Sequence, residues 1–181
     1  MLERPTSTSH RVLAVNTLAF TVCFAVWMLN GVLVTFLASN KVYDWGPVQV
    51  GWLMGIPVLT GAIFRLPAGI LTDRFGGKPV FAGLLFFCAL PLVALSQANS
   101  FWSFALCSFG FGLCGTGFSI GIAFTSVWYP KRNQGTALGI FGAGNAGAAV
   151  TKFVAPFVMV AYGWQGVANT WAAALALMGV I

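Results

Sequence analysis

Long apolar runs separated by short polar interruptions fill this chain of 181 residues. A membrane-crossing helix needs roughly 20 mostly apolar residues, and that length divides the chain into about five complete spans and one incomplete span. Residues 12–39, 48–72, 79–95, 101–129 and 135–160 form the complete spans. The sixth, 169–181, is still apolar at Ile181, and at roughly 13 residues it is too short to cross a bilayer alone. The expected fold class is an all-α membrane protein, a helical bundle preceded by a short tail at 1–11. The open sixth span makes a fragment of a longer protein the expectation. Arg4 and Arg11 ahead of the first run imitate a secretory signal, but the run is too long for one and more spans follow it.

Composition agrees with lipid as the main solvent. The chain is 59% apolar and only 7% Asp, Glu, Lys or Arg, against about 25% charge in soluble domains. So little polar material cannot cover a water-soluble globule, and a soluble enzyme, a disordered tail and a disulfide scaffold are excluded. The formal net charge of +6 does not point to nucleic acid, because the basic residues are dispersed and form no dense patch. Cys23, Cys88, Cys107 and Cys114 lie inside apolar segments without metal-ligand or secreted-framework spacing.

Seven of the nine basic residues lie outside the spans. Arg4, Arg11, Arg74, Lys78, Lys131 and Arg132 fall on one side and only Lys41 on the other. The positive-inside rule therefore puts the amino terminus in the cytoplasm of an inner, or plasma, membrane. Trp45, Trp102, Tyr162 and Trp164 near the outer boundary, with Trp128 and Tyr129 near the inner one, fit an aromatic belt.

Glu3, Asp44 and Asp73, the only acids, all lie outside the spans, so the two intramembrane cations, Arg65 and Lys152, have no carboxylate beside them. Each costs about 2.5 to 3.5 kcal/mol at a helix centre, and such residues are functional candidates by default. Two buried cations without a carboxylate form a site completed by an anion and closed to cations. Arg65 stands about 12 Å from the boundary at Asp73, and Lys152 about 15 Å from that near Tyr162. Snorkelling is the competing reading for both, and it suits the flexible Lys152 better than the planar fork of Arg65.

Helical spacing fills in the surroundings. Gly61 and Gly69 flank Arg65 at four residues on either side, a face that lets a neighbouring backbone approach, and Pro57 and Pro67 loosen the same helix. In the fifth span the run Gly139 to Gly147 is rich in small residues, and Asn145 lies seven residues before Lys152, on one helical face with it. An amide donor beside a cation suits an oxyanion, and an interhelical hydrogen bond is the alternative. Phe118, among the glycines of the fourth span, offers a flat wall to a planar ligand or simply packs. The only histidine, His10, precedes the first span. No catalytic triad, metal-ligand set or cofactor motif can be assembled, and no enzyme, metal or cofactor is expected.

Gly69-Ile70-Leu71-Thr72-Asp73-Arg74-Phe75-Gly76-Gly77-Lys78, between the second and third spans, resembles the signature loop of the major facilitator superfamily. The resemblance implies twelve spans in two halves, alternating access, and a latch in which Asp73, Arg74, Gly69 and Lys78 govern gating. It also makes a missing carboxyl-terminal half a partner of this chain. The run Gly142-Ala143-Gly144-Asn145-Ala146-Gly147, after Tyr129 to Gly139, is similar to the nitrate signature of the nitrate/nitrite porters. That similarity implies Arg65 as the anion-binding arginine, Asn145 with the Gly144 backbone as the orienting group, and Phe118 as the aromatic over the anion. Lys152 matches no binding residue of the family and rests on the local reading. Inverted repeats within the half make spans two and five equivalent, so Arg65 and Lys152 would face one path. The function expected is transport of nitrate, with nitrite as a second substrate. A carrier of another small anion, such as a carboxylate, and a non-transporting sensor or assembly subunit are the alternatives. Proton symport and nitrate/nitrite exchange both remain open.

Overall fold

Five stretches fold as helices long and apolar enough to cross a membrane: Ser7–Ser39, Pro47–Phe75, Gly77–Leu95, Phe101–Val127 and Lys131–Val180. This computed structural model describes residues 5–181, so Glu3 and Arg4 lie outside the described residues. The α-helices in chain order are α1 (Ser7–Trp27), α2 (Leu29–Ser39), α3 (Pro47–Ile63), α4 (Arg65–Phe75) and α5 (Gly77–Leu95). They continue as α6 (Phe101–Gly112), α7 (Gly117–Val127), α8 (Lys131–Gly142) and α9 (Gly147–Val180). Two 3-10 turns, Leu113–Thr116 and Ala143–Ala146, join α6 to α7 and α8 to α9. No strand occurs among the described residues.

The helix starts follow local chemistry. Thr6 caps α1 in a reciprocal box with Ser9, and Ser100 does the same for α6 with Ser103. Pro47 opens α3 at a position where its missing N–H is harmless. The first helix begins at Ser7, so part of the segment read as a tail is already helical.

The last long helix holds two spans. Gly163, at φ 72 and ψ 176, breaks α9, a conformation glycine adopts without a Cβ penalty. Beyond it Trp171 Nε1 donates to Thr151 Oγ1 at 3.0 Å, so the chain runs back along itself. The sixth helix thus occupies 164–180 and begins five positions before Asn169, because one glycine makes the turn read from sequence as a loop.

Four of the spans are interrupted along their length, at Met28, Phe64, Leu113–Thr116 and Ala143–Ala146, whereas α5 runs unbroken. Pro67 has no N–H for the Ile63 carbonyl and its ring crowds that group, and the second span breaks at Phe64, at φ −82 and ψ 0. Pro57 likewise frees the Leu53 carbonyl, which takes a hydrogen bond from Asn30 Nδ2 at 2.6 Å. At Met28 the first span breaks between α1 and α2, and the nearby Ala25 carbonyl accepts from Thr151 Oγ1 at 2.6 Å. Asn16 Nδ2 ties α1 to α7 through the Gly121 carbonyl at 2.9 Å and Thr125 Oγ1 at 2.6 Å. Close helix packing completes the core. A Cβ on Gly112 would stand 2.7 Å from Pro57 Cα, and one on Gly147 would run into the Thr21 carbonyl. Small residues at these crossings bring backbones together where lipid supplies no hydrophobic drive.

Candidate functional site

Arg65 occupies the first position of α4, immediately after the Phe64 break. Its side chain is half-buried, and its guanidinium carbon lies 5.7 Å from the ring centre of Trp27 and 5.7 Å from that of Phe118. Two aromatic faces therefore flank the cation, each within cation–π range. The Arg65 Nε is buried with no hydrogen-bond partner. The two described acids are exposed, Asp44 in the loop between α2 and α3 and Asp73 near the end of α4, and neither pairs with Arg65.

Trp27 is itself fixed. Its Nε1 donates to the Pro57 carbonyl at 2.8 Å, bridging α1 and α3. Space for the indole exists because positions 61 and 115 are glycine: a Cβ on Gly61 would stand 2.8 Å from Trp27 Nε1, and one on Gly115 2.7 Å from it. Gly61 thus has the close-approach role read from its spacing. Gly69 does not among the described residues, since a Cβ there would meet nothing within 4 Å. Trp27 escaped the sequence reading because its partners lie 30 or more residues away; the signal was an indole at mid-span, where a buried N–H must find an acceptor.

Phe118 leans on Phe20 at 5.6 Å and on Phe141 at 6.2 Å, and Phe20 stacks on Phe141 at 4.7 Å. This row of rings leads from Arg65 to the 3-10 turn Ala143–Ala146, where Gly144 is buried so tightly that a Cβ would enter the Phe20 ring. The next residue, Asn145, is exposed. Its Nδ2 donates to the Gly142 carbonyl at 2.7 Å. Among the described residues the amide bonds within its own turn and to no other helix, which leaves one N–H without a partner there. The 3-10 turn also departs from the regular pitch assumed for the seven-residue spacing to Lys152.

Phe118 and Arg65 are brought together, and the ring row links them to Gly144 beside Asn145. Lys152 stands apart. It is exposed on α9 and makes no hydrogen bond, ion pair or ring contact among the described residues. The arrangement presents a planar cation, walled by π faces and lacking a counter-ion, which suits a flat anion.

At the end where α4 meets α5, Gly76 adopts φ 86 and Gly77 is pressed under Phe124, so both glycines of this turn are required by geometry. Arg74 lies over Phe75 at 5.3 Å, while Asp73 and Lys78 are exposed and unpaired among the described residues. At the same end Tyr129 shares a hydrogen bond of 3.2 Å with His10 Nδ1, and burial raises its phenol above the ordinary value. At the opposite end Trp45 and Trp164 are half-buried in a cluster with Tyr43 and Phe104, whereas Trp102 and Tyr162 are exposed.

Residues 15–181 match the family described as the Major Facilitator Superfamily. Among curated relatives, the chain is 41% identical over 192 aligned positions to a Thermus thermophilus protein named probable nitrate/nitrite antiporter NarK1, covering 99% of this chain and 43% of that one. It is 32% identical over 172 positions to a Bacillus subtilis protein named nitrite extrusion protein, covering 95% and 43%. A Staphylococcus carnosus protein named probable nitrate transporter NarT is 33% identical over 170 positions, covering 93% and 43%. The chain thus spans less than half the length of these relatives.

Proposed function

Because the chain belongs to the major facilitator superfamily and is a multi-pass membrane protein, we propose that it is the amino-terminal half of a carrier that moves nitrate, with nitrite as a second substrate, by alternating access. The observation that carries this reading is Arg65 held between Trp27 and Phe118 with a buried unpaired Nε and no carboxylate beside it among the described residues. The names of the relatives support the choice of anion.

In this proposal the Arg65 guanidinium binds the anion with its free N–H groups, Phe118 covers one face, and the free amide N–H of Asn145 with the Gly144 backbone orients it. Lys152 adds a second positive charge along the path. Asp73, Arg74, Gly69 and Lys78 form the gate against the carboxyl-terminal half that this reading requires. The protein carries its substrate unchanged, in keeping with its family. It sits in the inner membrane with its amino terminus in the cytoplasm, as the concentration of Arg11, Arg74, Lys78, Lys131 and Arg132 on one side supports.

Counterflow in liposomes holding the complete carrier tests the reading. Labelled nitrate exchange should be competed by unlabelled nitrate and nitrite and left intact by equal acetate or sulfate. Equal competition by acetate would replace nitrate with a carboxylate as the substrate, and specific binding without flux would make the protein a sensor.

A further inference from the structure

A groove of about 260 Å³ opens at the end of the bundle where α1 and α5 begin. Val15 and Ala19 of α1, Ala82 and Leu85 of α5, and Met178 of α9 form its apolar walls, while Arg11 and Lys78 stand at its mouth. From Arg11 to Ala19 the α1 wall runs about 12 Å along the helix axis. Both cations are exposed and have no hydrogen bond or ion pair among the described residues. Neither Asp44 nor Asp73 lines the groove, so among the described residues no carboxylate balances the two charges at its mouth.

The distribution is that of an amphiphile's complement. Arg11 sits at the edge of the first apolar stretch and Lys78 at the start of the third, the level of lipid headgroups, and the apolar walls continue from there to the depth of acyl chains. A small soluble anion would satisfy the mouth and leave the walls empty. A neutral apolar molecule would fill the walls and leave two cations unbalanced. An anionic headgroup carrying an acyl chain answers both.

We propose that this groove binds one anionic phospholipid from the adjoining leaflet, with its phosphate between Arg11 and Lys78 and the upper part of an acyl chain against Val15, Ala82 and Leu85. The site is separate from the Arg65 centre, and its test needs no transport.

The purified chain in mild detergent is titrated with phosphatidylglycerol and, separately, with phosphatidylcholine of the same acyl chains, and bound lipid is counted by native mass spectrometry. One phosphatidylglycerol should be retained about twenty-five-fold more tightly than phosphatidylcholine, each surface cation contributing about fivefold. The Arg11→Gln, Lys78→Gln pair should abolish this preference. Lys41→Gln with Lys131→Gln, which removes the same net charge elsewhere, should preserve it. Ala82→Trp should weaken retention of both lipids while circular dichroism shows unchanged helix content. Equal retention of the two lipids by the unmodified chain would overturn the proposal, as would persistence of the preference in the Arg11/Lys78 variant. Unaltered binding in Ala82→Trp would place the lipid outside the groove. In a carrier continuing beyond Ile181, loss of the preference would mean that polypeptide covers the groove, which also refutes it.

Discussion

Replacing Trp27 by Phe removes one donor and keeps an aromatic ring, and it isolates what the indole does for Arg65. The Pro57 carbonyl loses its 2.8 Å bond from Trp27 Nε1, and interhelical bonds of this kind in membrane proteins contribute about 0.6 to 1.7 kcal/mol. The face over the guanidinium, now 5.7 Å away, becomes the poorer cation–π partner, a further loss of roughly 0.5 to 1 kcal/mol. The sum is about 1 to 3 kcal/mol, readable by reversible unfolding of the purified chain in mixed micelles titrated with dodecyl sulfate. Pairing the substitution with Arg65→Met separates the two parts, because only the cation–π part depends on residue 65. A coupling of about 0.5 to 1 kcal/mol between the two sites is expected. Additive losses would refute the claim that Trp27 holds the guanidinium, and a Trp27→Phe loss under about 0.5 kcal/mol would refute the bond's contribution as well.

Other close approaches make equally direct predictions. Gly147→Ala drives a methyl into the Thr21 carbonyl, so stability should fall by about 1 to 3 kcal/mol in the same unfolding assay. Asn30→Leu strips the Leu53 carbonyl and Ser108 Oγ of their shared donor, costing about 0.6 to 1.7 kcal/mol; adding Pro57→Ala restores an N–H for Leu53 and should recover part of it. Burial raises the Tyr129 phenol above its ordinary 10.0, so the folded chain keeps a proton there that the unfolded chain loses. Stability should therefore decline as pH rises through the interval above 10.0, and Tyr129→Phe should flatten that decline in pH-dependent unfolding.

The spans and their breaks were unequally legible in the sequence. Apolar length alone anticipated about five long apolar helices, since lipid leaves helices as the only open-chain solution for satisfying the backbone. The glycines around 112–117 and 142–147 announced close packing. That each run would tighten into a 3-10 turn depends on the rings and backbones pressed against it, Trp27 and Pro57 on one side and Phe20 and Thr21 on the other. Gly163 was hidden among aromatic and polar neighbours resembling a loop, although a single positive φ was enough to turn the chain.

Charge made Arg65 stand out, because an ion in hydrocarbon is visible without knowing its neighbours. The side chains that surround it were not visible in that way. Trp27 is 38 positions from Arg65 and Phe118 is 53, and only the folded bundle brings either to the guanidinium. Asn16 and Asn30 carry no charge to mark them within their apolar runs. Both are buried amides that tie helices together, and each leaves its Oδ1 without a partner. Their sequence signal is an uncharged amide within an apolar span, which in a bundle bonds across to a neighbouring helix.

Nitrate affinity of the complete carrier carrying Arg65→Lys or Arg65→Gln measures most directly whether this guanidinium recognises the anion. Losing a charge-assisted, forked contact should weaken binding by about 1.5 to 3 kcal/mol, roughly ten- to a hundredfold, for Gln, with Lys recovering only part of it because charge remains while the fork is lost. Unchanged nitrate affinity in Arg65→Gln, in a variant that still folds and inserts, would contradict the account.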